Sequence, residues 1–327
     1  MAQALRRVPL DVPGLGSSPV LTAVANKSPS SSPSSSLPPV VLLHGFDSSC
    51  LEFRRLWPLL GDKTDTYGLD LVGWGFTDAG YQAGDTSGRE VSPETKRAHL
   101  YTFWKDVLGG RKMVLCGASL GGAIALDFAV EHPEAVEKLV LVDSQAFIDG
   151  IGPMAKIRPL AMAGIDVLRS TQLRMMANKM AYFNKTKFAT EDAMRVGRLH
   201  TFVEGWKEAN FAFMQSGGYA ISKKVPKVTV ETLIVWGRND EILEPKFAGK
   251  FFDLIPNATL KWVEECGHCA HLEQPEELSR AILRLCHGPI QLDVFTGSRD
   301  VDNEQSPQSR NGTTAVGEEM KDWSDSS

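Results

Sequence analysis

Cysteine is scarce in this chain: five among 327 residues, at positions 50, 116, 266, 269 and 286. So few thiols, in odd number, make no disulfide framework and suit a reducing compartment. No uninterrupted apolar run is long enough to cross a bilayer. Positive charge is not in excess either: the net charge of -5 argues against general nucleic-acid binding. Acids are missing from the amino end, where residues 1–46 hold only Asp11 among many serines. That composition resembles an organelle transit segment. Against it, Ala4 to Leu10 and Pro19 to Val24 read as short strands joined through Pro13-Gly14 and Gly16. If they are the first strands of a sheet, nothing remains to be cleaved, and Ser28 to Pro39 is a flexible low-complexity insertion.

What is present is enough apolar material, 43% of residues against 23% charged, for one large α/β domain or a core with an inserted subdomain. From residue 40 the pattern alternates. Strands read at 40–43, 66–69, 112–116 and 138–142, with helices at 51–60, 94–108 and 120–131 between them. Strand 232–236, helix 245–255, strand 259–263 and helix 275–286 follow. Such alternation predicts a parallel sheet with helices on both faces. Residues 145–230 break the rhythm and read as a helical cap, splitting the core into 40–144 and 231–290, with 1–39 preceding it. The cap is rich in methionine (154, 162, 175, 176, 180, 194, 214) and aromatics, which at helical spacing mostly build core. Methionine also packs adaptably around irregular apolar ligands, so Phe147, Trp206 and Met214 are candidate substrate contacts. The cap carries thirteen Lys/Arg against six Asp/Glu. That excess fits a solvated helix face, or a surface resting on an anionic membrane or accepting an amphiphile. Residues 291–327 read as a disordered acidic tail; from Gly297 onward it has seven acids, three bases and no apolar period.

The most informative segment is Gly117-Ala118-Ser119-Leu120-Gly121, between an apolar strand and a helix-like run. A serine at the apex of a strand–turn–helix sits in a strained backbone, and the flanking glycines relieve the crowding. Its hydroxyl then stands clear at the open end of the sheet. A useful nucleophile needs a base, and the base needs a partner to fix its tautomer. Asp240, in Trp236-Gly237-Arg238-Asn239-Asp240, and His268, in Cys266-Gly267-His268, each stand just past a strand, in the order serine, acid, histidine. Each alone reads as a turn or surface residue; the ordered set points to nucleophilic catalysis. Asp143, after the sixth strand, competes for the acid's role.

Over residues 40–287 the sequence resembles the α/β-hydrolase superfamily. His44-Gly45-Phe46 is similar to its oxyanion loop. Asp70-Leu71-Val72-Gly73-Trp74-Gly75-Phe76-Thr77 is similar to its D-x-x-G-x-G-x-S loop. Gly267-His268 with His271-Leu272-Glu273-Gln274-Pro275 is similar to its terminal motif. The resemblance implies an eight-stranded, mostly parallel α/β-hydrolase sheet flanked by helices, with a cap after strand 6. It implies Ser119 as nucleophile, His268 as general base then acid, and Asp240 as its orienting partner. The N–H groups of Phe46 and Leu120 would form the oxyanion hole, with His44 and His271 structural. Serine at 119 implies an acyl-enzyme and an ester, thioester or amide substrate, with no metal or cofactor. A C–C hydrolase or lyase, or a ligand-binding receptor, could use the same framework.

Cys266-Gly267-His268-Cys269 also matches the C-G-H-C motif of disulfide isomerases, but without a thioredoxin-like domain around it. Zinc on Cys266, Cys269 and His271 is a further reading, as are two buried reduced thiols. Joining those thiols would strain the loop carrying His268 and could switch activity off. Finally, His44 to Arg54, Leu71 to Phe76 and Ser216-Gly217-Gly218-Tyr219 resemble a plant and algal group of plastid α/β-hydrolases that includes chlorophyll dephytylase and pheophytinase. This implies chloroplast placement and a small-molecule apolar ester of long-chain or prenyl type. The pattern departs at Ala118, where that group carries asparagine.

Overall fold

The computed structural model describes residues 1–30, 37–78, 80, 90–152, 155 and 157–288. Met154, most of the serine-proline run (31–36) and the acidic tail lie outside the described residues. Eight strands form one sheet: β1 (Leu5–Leu10), β2 (Val20–Lys27), β3 (Val40–Leu43), β4 (Thr66–Leu69), β5 (Met113–Ala118), β6 (Val136–Val142), β7 (Glu231–Gly237) and β8 (Ala258–Val263). Their order across it is β1-β2-β4-β3-β5-β6-β7-β8. β2 runs antiparallel to both β1 and β4; every pairing from β4 to β8 is parallel. Residues 5–10 and 20–27 are therefore strands of the sheet, as their strand-like pattern predicts.

The inner strands are apolar on both faces because helices cover both. Val41, Leu43, Leu115, Leu139, Leu141, Ile234 and Trp236 pack on one side, while the alternate residues Val40, Leu42, Val114, Cys116, Val140 and Val142 pack on the other. α2 (Pro93–Asp106) and α3 (Leu120–Glu131) cover the first side; α1 (Leu56–Gly61) and the carboxyl-terminal helix Pro275–His287 cover the second. α2 starts with Pro93 after a capping box in which Ser92 and Thr95 bond each other's backbone amides. The single helix expected at 51–60 is instead a 3-10 turn, Cys50–Phe53, followed by α1. Pro58 is the third residue of α1, where its missing amide proton costs nothing, whereas a helix begun at 51 would need that proton.

Between β6 and β7 lie α4 (Arg158–Leu168), α5 (Thr171–Ala181), α6 (Lys185–Phe188), α7 (Glu191–Arg198), a 3-10 turn (Leu199–Phe202) and α8 (Trp206–Gln215). These are the cap. α9 (Lys246–Leu254), α10 (Ala270–Glu273) and α11 (Pro275–His287) complete the α-helices among the described residues. None of the described helices is long and apolar enough to cross a membrane. Parallel strands place their carboxyl ends together, so the segments after β3, β4, β5, β6, β7 and β8 open on one edge of the sheet.

Candidate active site

Ser119 follows β5 directly and has φ 53°, ψ −122°, a conformation that costs a non-glycine residue energy. The surrounding packing enforces it. A Cβ on Gly117 would stand 2.1 Å from the Gly121 carbonyl oxygen, and one on Gly121 would stand 2.1 Å from that of Leu43. The turn can thus be this tight only with glycine on either side. The serine amide donates to the Val142 carbonyl (3.0 Å), and its carbonyl accepts from Gly122 and Gln145. Leu120 is the first residue of α3, so its N–H has no acceptor within the helix.

His268 follows β8, and its Nδ1 lies 2.7 Å from Asp240 Oδ2. The other Asp240 oxygen accepts from the Ile242 and Leu243 amides at 2.7 and 3.0 Å, which fixes the carboxylate's orientation. Asp143 lies alongside: oxygens of both aspartates and a nitrogen of His268 sit within 4.8 Å of one another. Its Oδ1 accepts from the Gly237 amide at 2.8 Å, and its Oδ2 meets no N–H or hydroxyl donor among the described residues. Burial first, and the Asp240 carboxylate next, push the Asp143 carboxyl well above its ordinary range, favouring its protonated form. The geometry puts Asp240, rather than Asp143, against the imidazole.

Ser119 and His268 both line a cavity of about 310 Å³, together with Gly45, Phe46, Leu51, Arg174, Tyr182, Val196 and Leu272 among others. Phe46 sits at its edge, 37% exposed, with its ring against Trp74 and Phe213. The loop carrying it is braced from below. Buried Asp70 accepts from the Cys50 and Phe76 amides at 2.6 and 2.9 Å and lies 3.4 Å from His44 Nε2. Gly75 is required there, since a Cβ would fall 2.2 Å from the Asp70 carboxyl. Glu52 accepts from Gly45 N and lies 3.0 Å from His271 Nε2. Burial would raise the Glu52 carboxyl, but the nearby imidazole more than offsets that and holds it down to about 2. His44 and His271 thus sit in the supports of the loop, outside the cavity lining.

The three candidate substrate contacts do not line the cavity. Phe147 stacks on Phe247 and meets the tilted ring of Phe251, with Lys250 over its ring, so its face is already used. Met214 is half-buried in the last turn of α8. Trp206 is buried and donates its indole N–H to Asp47 (2.8 Å). Asp47 is what sequence reasoning missed. It lies one residue past Phe46, has φ 46°, and is buried; His200 Nε2 lies 3.0 Å from its Oδ1, and Arg174 donates to its Oδ2. No local pattern marks it, because its partners are 127, 153 and 159 residues away. Glu273 plays a matching part beneath the histidine, accepting from Gly267 N (2.7 Å), Phe183 N (3.0 Å) and Asn184 N (2.9 Å).

The cysteines beside His268 are free thiols, Cys266 buried and Cys269 half-buried. Burial, with nearby acids, pushes both thiols well up, the opposite of an activated redox cysteine.

The alpha/beta hydrolase family model matches residues 40–281. The alpha/beta hydrolase domain-containing protein VTE7 of Arabidopsis thaliana is 37% identical over 257 residues, covering 77% of this chain and 75% of that protein. The 2-hydroxy-6-oxo-6-(2'-aminophenyl)hexa-2,4-dienoic acid hydrolase of Metapseudomonas resinovorans is 29% identical, covering 75% and 82%. Among solved structures, a thermophilic esterase from Thermogutta terrifontis has a like fold, with TM-score 0.69 at 20% identity over 86% of this chain and all of that one. The sheet order, the strained serine turn and these matches agree: the chain belongs to the alpha/beta hydrolase family.

Proposed function

We propose that the protein is a serine hydrolase that cleaves a carboxylic ester of an apolar alcohol or acid through an acyl-enzyme. One observation carries the reading. The His268–Asp240 pair, at 2.7 Å, lies behind a cavity that also holds Ser119 on its strained turn. In this reading His268 Nε2 takes the proton of Ser119 as Oγ adds to the ester carbonyl. The oxyanion is held by the Phe46 and Leu120 amides, each worth roughly 3–4 kcal/mol in the transition state. The imidazolium then returns that proton to the departing alkoxide, and water repeats the sequence to release the acid. Asp240 holds the imidazole with its proton on Nδ1 and balances its positive charge. The leucines, Val196 and Tyr182 in the cavity wall supply an apolar side for the substrate. The plant relative supports placement in the chloroplast.

The test is turnover of short-chain p-nitrophenyl esters and labelling by a fluorophosphonate probe, wild type against Ser119→Ala. The substitution is expected to abolish labelling and lower kcat roughly 10⁵-fold or more, with an unchanged melting temperature. Labelling retained in the variant contradicts the reading. A single non-recycling event in the wild type points instead to a receptor.

A further inference from the structure

The carboxylate of Asp47 ties together parts of the molecule that are otherwise separate. On its own side it belongs to the loop after β3, next to Phe46. Across from it stand Arg174 of α5, His200 of the 3-10 turn Leu199–Phe202, and Trp206 at the start of α8. Both oxygens are engaged, one by Arg174, the other by the His200 imidazole and the Trp206 indole. A buried carboxylate is tolerable only while such partners remain, so opening the cap at any of these elements takes a donor from it. The left-handed backbone at Asp47 also fixes the turn by which the chain leaves Phe46, and aspartate is among the few side chains that accept it. α5 extends the connection. Seven residues beyond Arg174, about 10 Å along a helix, the Ala181 carbonyl accepts from the His268 amide at 2.8 Å. One cap helix therefore touches both the loop carrying Phe46 and the loop carrying His268.

We infer that Asp47 is a positioning residue: gathered by three cap elements, its carboxylate sets the Phe46 amide for the oxyanion, so the site is competent only with the cap seated. This rests on the serine-hydrolase reading above. It separates Asp47 from a merely structural group in one respect. A substrate too short to need the cap must still lose kcat when Asp47 is changed.

The experiment compares full-length wild type and Asp47→Asn on p-nitrophenyl acetate, with hydrogen exchange by mass spectrometry on both proteins. Asparagine keeps the shape and tolerates the backbone but loses the charge that gathers the donors. The expected result is a fall in kcat of about tenfold or more, part of what removing an oxyanion donor costs, with KM within about twofold. Exchange should rise together in 44–50, 171–181 and 199–206. Unchanged kcat, a change confined to KM, or faster exchange in the cap alone overturns the inference. If Asp47→Asn does not fold, Trp206→Phe removes a single donor and should give a smaller fall with the same joint rise in exchange. If the wild type shows no Ser119-dependent turnover, the hydrolase reading fails by itself. The exchange data still decide whether Asp47 joins loop to cap, and no joint rise refutes it.

Discussion

Two aspartates stand within reach of one imidazole, yet their surroundings give them different states. Asp240 accepts two backbone amides on one oxygen and faces His268 Nδ1 with the other, whereas Asp143 accepts one amide and its other oxygen meets no N–H or hydroxyl donor among the described residues. Burial, and then the neighbouring Asp240 carboxylate, push the Asp143 carboxyl up toward its neutral form. Asp143→Asn replaces one neutral group with another and is expected to hold kcat within about threefold, a surface-like effect on the chemistry. Asp240→Asn presents an amide N–H to Nδ1, forces the wrong tautomer and is expected to cost roughly 10³- to 10⁴-fold in kcat. Steady-state kinetics on a short ester check the ranking, and a reversed order would make Asp143 the working acid. At this scale the sequence was informative where the chemistry is local. The glycines at 117 and 121 and the residues just past β7 and β8 announce themselves because strand ends and tight turns have short signatures. Asp47 had none, since its meaning depends on side chains that only folding brings to it.

Helices and strands differ in how much of their environment is written along them. The inner strands read correctly because residues buried on both faces form unbroken apolar runs. The cap helices announce their periodicity but not their partners: Phe147 and Trp206 are engaged by Phe247 and Asp47, and neither they nor Met214 lines the cavity. α4 illustrates the difficulty. Ala161 and Ile165 face inward, yet Leu160 and Val167 on its outer side are 48% and 55% exposed, with Ala163 and Gly164 exposed between them. On α5, Met176 and Met180 are likewise exposed, and Phe202 stands out between the guanidinium groups of Arg169 and Arg198, 4.6 and 4.9 Å from its ring centroid. An apolar outer stripe amid a local excess of positive charge fits an anionic bilayer surface. The protein should float with vesicles containing anionic lipid and less with zwitterionic ones. Leu160→Glu with Val167→Glu should reduce flotation severalfold while hydrolysis of a short soluble ester is unchanged. Equal flotation of the double variant, or none with either lipid, would dismiss this face as a membrane contact.

Across residues 1–288 the cap is an insertion in sequence but not an appendage in bonding. Asp47 binds three of its elements, Glu273 accepts from Phe183 and Asn184, and the Ala181 carbonyl holds the His268 amide. A Cβ on Gly267 would lie 2.5 Å from that same carbonyl, so chain approach here is as close as backbone allows. A small cluster of Ala181, Tyr182 and Phe188 from the cap with Leu272 from the core adds apolar contact to the same seam. Most of these bonds involve charged or backbone groups that would be left unsatisfied in a dry interior if the cap opened alone. Opening the seam therefore costs several groups at once, and the cap should share the core's unfolding transition. The prediction is one urea transition, with far-ultraviolet circular dichroism, tryptophan emission and ester turnover superimposing. Trp206, buried in the seam, makes emission sensitive to the cap. An independent cap would instead lose activity, the Trp206 share of the emission and the cap's share of the helical signal at lower urea than the rest, giving two midpoints. Glu273→Gln sharpens the comparison. It weakens the acceptor for three amides, one from the histidine loop and two from the cap, and should move the single midpoint down without splitting it. A split confined to that variant would mean that Glu273 alone makes cap and core cooperative.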